Sequence, residues 1–103
     1  MGKLLQQAQK LQSDMNKAQE DLKNMRVEAV VDAGSVKVVA NGAQEILDII
    51  LDQAIIHPAN AKAIQELLVS GVNLALEKSR IMANLEMNKV TGGLNIPNIP
   101  GLF

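Results

Sequence analysis

The stretch Leu4-Leu5-Gln6-Gln7-Ala8-Gln9-Lys10-Leu11-Gln12-Ser13-Asp14-Met15-Asn16-Lys17-Ala18-Gln19-Glu20-Asp21-Leu22-Lys23-Asn24-Met25-Arg26 decides the fold. Its apolar residues fall at Leu4, Ala8, Leu11, Met15, Ala18, Leu22 and Met25, in alternating steps of four and three. That is the seam of a helix packed lengthwise on another helix. No Pro, Gly or β-branched residue interrupts it before Val27, so nothing inside it opposes helix formation. The spacing predicts one helix over 4–26, about 34 Å long. Such a helix needs a partner of similar length, from this chain or from a second copy.

After Arg26 the period changes to two. Val27, Ala29 and Val31 alternate with Glu28 and Asp32, which reads as a strand. Asp32-Ala33-Gly34-Ser35 reads as a turn, and Val36, Val38 and Ala40 as the core of a second strand. Asn41-Gly42 is a strong short hairpin signal. A third strand is predicted over Glu45–Leu51, with Leu47, Ile49 and Leu51 on one face and Ile46, Asp48 and Ile50 on the other. Two consecutive hairpins make a three-stranded antiparallel meander. Its second face is not fully polar, because Val30, Val39, Ile46 and Ile50 lie among the charges. Scattered surface apolars are ordinary; a face that meets a second subunit is the other reading. Two long amphipathic helices and this two-sided sheet carry more apolar surface than so small a chain buries alone, so a homodimer is expected through these four residues.

Pro58 ends the link that follows, and Asn60 can start a second long helix, predicted over Ala61–Lys89. Gly71 inside it suits close packing on a strand. A sheet of six-residue strands is only about 20 Å long, so both helices should overrun it as an arm. There Leu4, Ala8 and Leu11 are expected to meet Ile81, Met82 and Leu85. The expected fold is therefore α+β: long helix, meander, long helix, with residues 1–93 as one domain. Residues 94–103, with Pro97, Pro100 and Gly101, read as a flexible tail that folding does not require.

Composition narrows the function. Phe103 is the only aromatic residue among 103, so the chain has no platforms on which single-stranded bases stack. There is no Cys, which removes disulfides, thiolate zinc sites and Cys nucleophiles and fits a reducing cytoplasm. No signal peptide or membrane-spanning run is visible. His57 is the single histidine, and a lone His beside Pro is ordinarily structural. Asp48 and Asp52 share a strand face without a third ligand, and no helix follows Gly92-Gly93 to make a phosphate loop. No enzyme, metal, cofactor or small-molecule substrate is expected.

The net charge of −1 is unevenly spread. Residues 1–26 hold five cations against three carboxylates, residues 27–60 one against five, and residues 61–103 four against three. Lys3, Lys10 and Lys17 are seven apart and form one stripe on the first helix, which Lys23 and Arg26 extend. Two readings stand side by side. Lys10–Asp14 and Lys17–Asp21 can pair at i, i+4 on a solvated face, or the stripe can meet phosphates.

Several pieces in this order resemble one family. They are Leu5-Gln6-Gln7-Ala8-Gln9-Lys10-Leu11-Gln12, then Val36-Lys37-Val38 with Asn41-Gly42, then Glu66-Leu67-Leu68 and Val72-Asn73. The last are Thr91-Gly92-Gly93-Leu94-Asn95-Ile96-Pro97 and Pro100-Gly101-Leu102-Phe103. The chain resembles the YbaB/EbfC family of bacterial nucleoid-associated DNA-binding proteins. The resemblance implies a dimer whose paired helices project like the arms of tweezers. It also implies binding of double-stranded DNA in the cytoplasm, nucleoid organisation and an influence on transcription. Carried over by region, it puts Lys3, Lys10, Lys17, Lys23 and Arg26 at the DNA, with Lys78, Arg80 and Lys89 from the second helix. Two departures lie away from the arms: the loop Asp32–Ser35 is shorter than the family's Gly-rich loop, and His57-Pro58-Ala59-Asn60 replaces a more acidic segment. A dimeric protein-interaction module that binds no DNA is the alternative from another class.

Overall fold

The structure is a computed structural model that describes residues 2–91, and side chains only within residues 4–90. The tail at 94–103 lies outside the described residues. The chain runs α1 (Gly2–Lys23), β1 (Arg26–Val31), β2 (Val36–Asn41), β3 (Ile46–Leu51), two single 3-10 turns, and α2 (Ala61–Thr91). The strands form one antiparallel sheet in the order β1-β2-β3. This is the α+β helix–meander–helix order that the periodicities predict.

The covered face of the sheet carries Ala29, Val36, Val38 and Ala40, which are fully buried together with Ala75 of α2. These side chains are small, so helix and sheet come close. At Gly71 a Cβ would stand 2.9 Å from Val38 Cγ2; the missing side chain lets α2 settle onto β2. Each buried Val contributes about 1.5–3 kcal/mol by leaving water. Lys78 Nζ donates to the Glu28 carbonyl at 2.8 Å, tying α2 to β1.

Two expectations need correction. The first helix ends at Lys23, and Arg26 opens β1 opposite Asn41. The cause is a tertiary cap. The Gly42 amide donates to the Leu22 carbonyl at 2.8 Å, and Asn41 Nδ2 donates to the Lys23 carbonyl at 3.3 Å. The β2–β3 hairpin thereby takes up carbonyls that the last turn of a helix leaves unpaired. The second correction concerns Ile46. Val39 pairs with Asp48 but Ala40 with Ile46, which leaves Leu47 as the extra residue of a β-bulge. One extra residue reverses the alternation. Ile46 therefore joins Ala40 on the covered face and packs against the core. Val30, Lys37 and Ile50 form one cross-strand row of the open face, and Glu28, Val39 and Asp48 the next.

The β1–β2 turn holds Asp32 at φ 53°, Ala33 at φ 54° and Gly34 at φ 99°. Left-handed backbone costs an L-residue about 1–2 kcal/mol, and Ala33 has no side-chain hydrogen bond to offset it. Ala33→Gly should stabilise the protein by about 0.5–1 kcal/mol, after the extra freedom of glycine in the unfolded chain is deducted. Equilibrium urea denaturation reads this as a higher midpoint at unchanged slope; a lower midpoint means the turn does not resist alanine.

Candidate nucleic-acid interface

Both helices are anchored on the β2–β3 hairpin, and their distal parts run on as an antiparallel arm. Leu22 receives the Gly42 amide, and Ser79 Oγ of α2 accepts the Gln44 amide at 2.9 Å. Leu22 and Ser79 therefore mark the base of the arm. Moving eleven residues outward on each helix reaches Leu11 and Val90. These two do line one groove, together with Leu4 and Ala8. On the other side Met25 faces Met82 and Leu85. The expected meeting of Leu4, Ala8 and Leu11 with Ile81, Met82 and Leu85 is thus shifted outward along α2. The anchors fix this register, and seam spacing alone cannot give it. Burial falls toward the tip: Ala18 and Leu22 are buried, whereas Leu4 is 72% exposed.

The hairpin at the base is more than a turn. Asn41 is buried, and its amide is fully used. Oδ1 accepts the Ala43 and Glu45 amides at 2.9 and 3.0 Å, while Nδ2 also donates to Glu45 Oε1 at 2.8 Å. Gly42 does not take a positive φ; Gln44 does, at 63°. Gly42 serves close approach instead, since a Cβ there would lie 2.6 Å from Leu22 Cδ2 and 2.9 Å from the Leu22 carbonyl. The pair Asn41-Gly42 was legible as a hairpin signal. Its second role, and that of buried Ser79, left no local signal.

The predicted cations divide into two groups. Lys10, Lys17 and Lys89 are exposed along the arm, and the Lys3 side chain lies outside the described residues. Lys23, Arg26, Lys78 and Arg80 are near the base, close in sequence to the Leu22 and Ser79 anchors. Lys23 does not extend the stripe. Six residues past Lys17, it stands about 120° round the helix. Arg26 has left the helix altogether.

Among the described residues the ion pairs are Lys37–Glu28 at 3.7 Å and Lys89–Glu86 at 2.9 Å. Neither Lys10–Asp14 nor Lys17–Asp21 closes, and both ammonium groups face solvent. Asp14 and Asp21 still flank the stripe and dilute its field. On α2 the outer side differs: Ile81 and Leu85 are more than half exposed.

His57 Nδ1 accepts the Ala59 amide at 3.2 Å, and Asp52 Oδ1 accepts the Ala54 amide at 3.0 Å, so both cap 3-10 turns. No group of three His, Cys, Asp or Glu side chains could hold a metal among these residues. No described helix is long and apolar enough to cross a membrane.

Residues 1–94 match the model of the YbaB/EbfC DNA-binding family. A nucleoid-associated protein of Ruminiclostridium cellulolyticum is 44% identical over 103 residues, covering 100% of this chain and 88% of its own. Another, from Desulforamulus reducens, is 46% identical over 103 residues, covering 100% and 95%. A third, from Syntrophobacter fumaroxidans, is 46% identical over 101 residues, covering 96% and 92%. Among solved structures, an uncharacterized protein of Helicobacter pylori, HP0035, superposes with a TM-score of 0.74 at 21% identity, covering 87% of this chain and 96% of that one. That likeness concerns the fold.

Proposed function

The chain belongs to the YbaB/EbfC DNA-binding family, and from that premise we propose that it binds double-stranded DNA as a homodimer through its projecting arms. It has no enzymatic role in this reading. It acts in the cytoplasm on the nucleoid, organises DNA there and thereby influences transcription. The observation that carries the reading is the exposed lysine row Lys10 and Lys17, unpaired with described residues and set on the outer part of an arm. Free ammonium groups on a rigid helix can each replace a condensed counterion on a phosphate. Lys3 belongs to the same row by spacing. Lys23, Arg26, Lys78 and Arg80 form the supporting set near the base, with Lys89 further out along α2.

Gel shifts with unrelated duplexes at several salt concentrations test this. Binding that weakens linearly in log affinity against log salt is the expected result. No shift at low salt favours the protein-interaction alternative.

The dimer is proposed through the open sheet face, where Val30 and Ile50 are about half exposed and Val39 half-buried. Lys37 and Asp48 stand beside them, giving the self-complementary mixture that a two-fold interface needs. Ile50→Asp should convert the dimer to a monomer in light scattering after gel filtration, because a buried unpaired carboxylate is costly. Ile50 is exposed in the single chain, so the monomer should stay folded. A variant that remains dimeric places the interface elsewhere, and a monomeric parent protein rejects the dimer.

A further inference from the structure

The two helices of the arm do not end together. With Leu22 and Ser79 at the base and Leu11 and Val90 on one groove, the register brings Thr91, the last residue of α2, level with Lys10. Among the described residues, the part of α1 from Gly2 to Gln9 therefore runs on alone, for about 12 Å. Leu4 and Ala8 of the apolar seam lie on this overhang. Both are exposed, Leu4 at 72%. They form a groove at the tip with Leu11 and with Val90 of α2, and Lys10 and Asp14 border it. The two border charges are opposite, so the groove favours an uncharged occupant.

We propose that the segment Leu94–Ile99 of the same chain lies in this groove and closes the tip of the arm. It follows directly on α2, and Gly92-Gly93 lets the backbone turn off the helix end. No residue from Val90 to Phe103 carries a charged side chain, so docking strands no ion in an apolar site. Apolar residues recur every three positions at Ile96, Ile99 and Leu102, and Pro97 and Pro100 keep the same period. Three residues per turn is the period of polyproline II, so these apolar side chains share one edge, about 9 Å apart. Leu4 and Leu11 are about 10 Å apart along α1. Ile96 and Ile99 thus match the two ends of the groove. The prolines hold the segment extended beforehand, which lowers the cost of ordering it. The tether is only a few residues long, so the effective concentration of the segment at the groove is on the order of millimolar. Ala29, Val36, Val38, Ala40 and Ala75 are fully buried without the segment, so docking orders the tip and leaves the core as it is. Nothing in this contact requires DNA.

A nitroxide on Asn98→Cys tests the contact by NMR, since the chain has no other Cys and position 98 lies off the apolar edge. Amide signals of residues 5–11 should be lost selectively, while those of the sheet persist. Adding Ile96→Asp and Ile99→Asp should restore the signals at 5–11. In the unlabelled chain the same two substitutions should speed hydrogen exchange of those amides by about tenfold or more, with exchange in the sheet unchanged. Broadening at 5–11 that is equal with and without the two Asp substitutions overturns the docking. So does broadening spread evenly over the protein. Mixing isotope-labelled protein that has no nitroxide with nitroxide protein of natural isotope content separates the copies. Loss of the 5–11 signals in that mixture would seat the segment on a second copy and overturn the contact within one chain.

Discussion

Gly42→Ala should destabilise the protein by about 2–4 kcal/mol. The new methyl group would sit 2.6 Å from Leu22 Cδ2, a side chain that could move, and 2.9 Å from the Leu22 carbonyl, which cannot easily do so. That carbonyl is held by the amide of the substituted residue itself, at 2.8 Å. Relief therefore requires α1 to lift from the hairpin. Overpacking of this kind costs about 1–3 kcal/mol, and each weakened hydrogen bond adds about 1 kcal/mol. Leu22, 4% exposed, would lose packing at the same time. A domain of this size has only about 5–15 kcal/mol in hand, so the urea midpoint should fall sharply. Ala43→Ser, at an exposed neighbour, should leave it nearly unchanged. An unaltered midpoint in Gly42→Ala would mean that hairpin and helix adjust together, and that the close approach is not a fixed joint.

This joint also marks the limit of what the sequence discloses. The seam from Leu4 to Met25 and the alternation through Val27–Val31 and Val36–Ala40 are local periodicities. Each follows from which side of one element must avoid water, so helix, meander and helix were legible. The end of α1 was not, because its cap comes from Asn41 and Gly42, far along the chain. The bulge at Leu47 was not legible either. Glu45–Leu51 alternates equally well in either phase, and only the pairing of β3 with β2 decides where Ile46 points. The arm register was hidden for the same reason, since the contacts of Leu22 and Ser79 with the hairpin set it. Of the candidate cations, Lys10 and Lys17 fall together on α1, as seven-residue spacing requires. Arg26 falls away because a strand begins where the helix was expected to continue.

Replacing Lys3, Lys10 and Lys17 together by Gln should weaken DNA binding without weakening the fold. In the proposed complex each ammonium neutralises one phosphate, and the salt slope is about −0.9 per phosphate contact. The slope should therefore flatten by about 2–3 units per engaged protomer. The loss should be nearly equal on unrelated duplexes, because phosphate contacts do not discriminate bases. Gln has good helix propensity, and none of the three residues lies on the seam, so helical content and dimer mass should persist. Because Lys10 and Lys17 make no ion pair with a described residue, their removal breaks no such contact. A control carrying Lys62→Gln changes charge at the opposite end of α2, away from the arm and from the open sheet face. Its slope should stay close to that of the parent protein if phosphate contact is local to the arm. A general electrostatic effect would instead scale with net charge, and the control would then show about one-third of the triple variant's loss. Unchanged affinity and slope in the triple variant would remove this row from the interface and leave Lys78, Arg80 and Lys89 as the cations to test next.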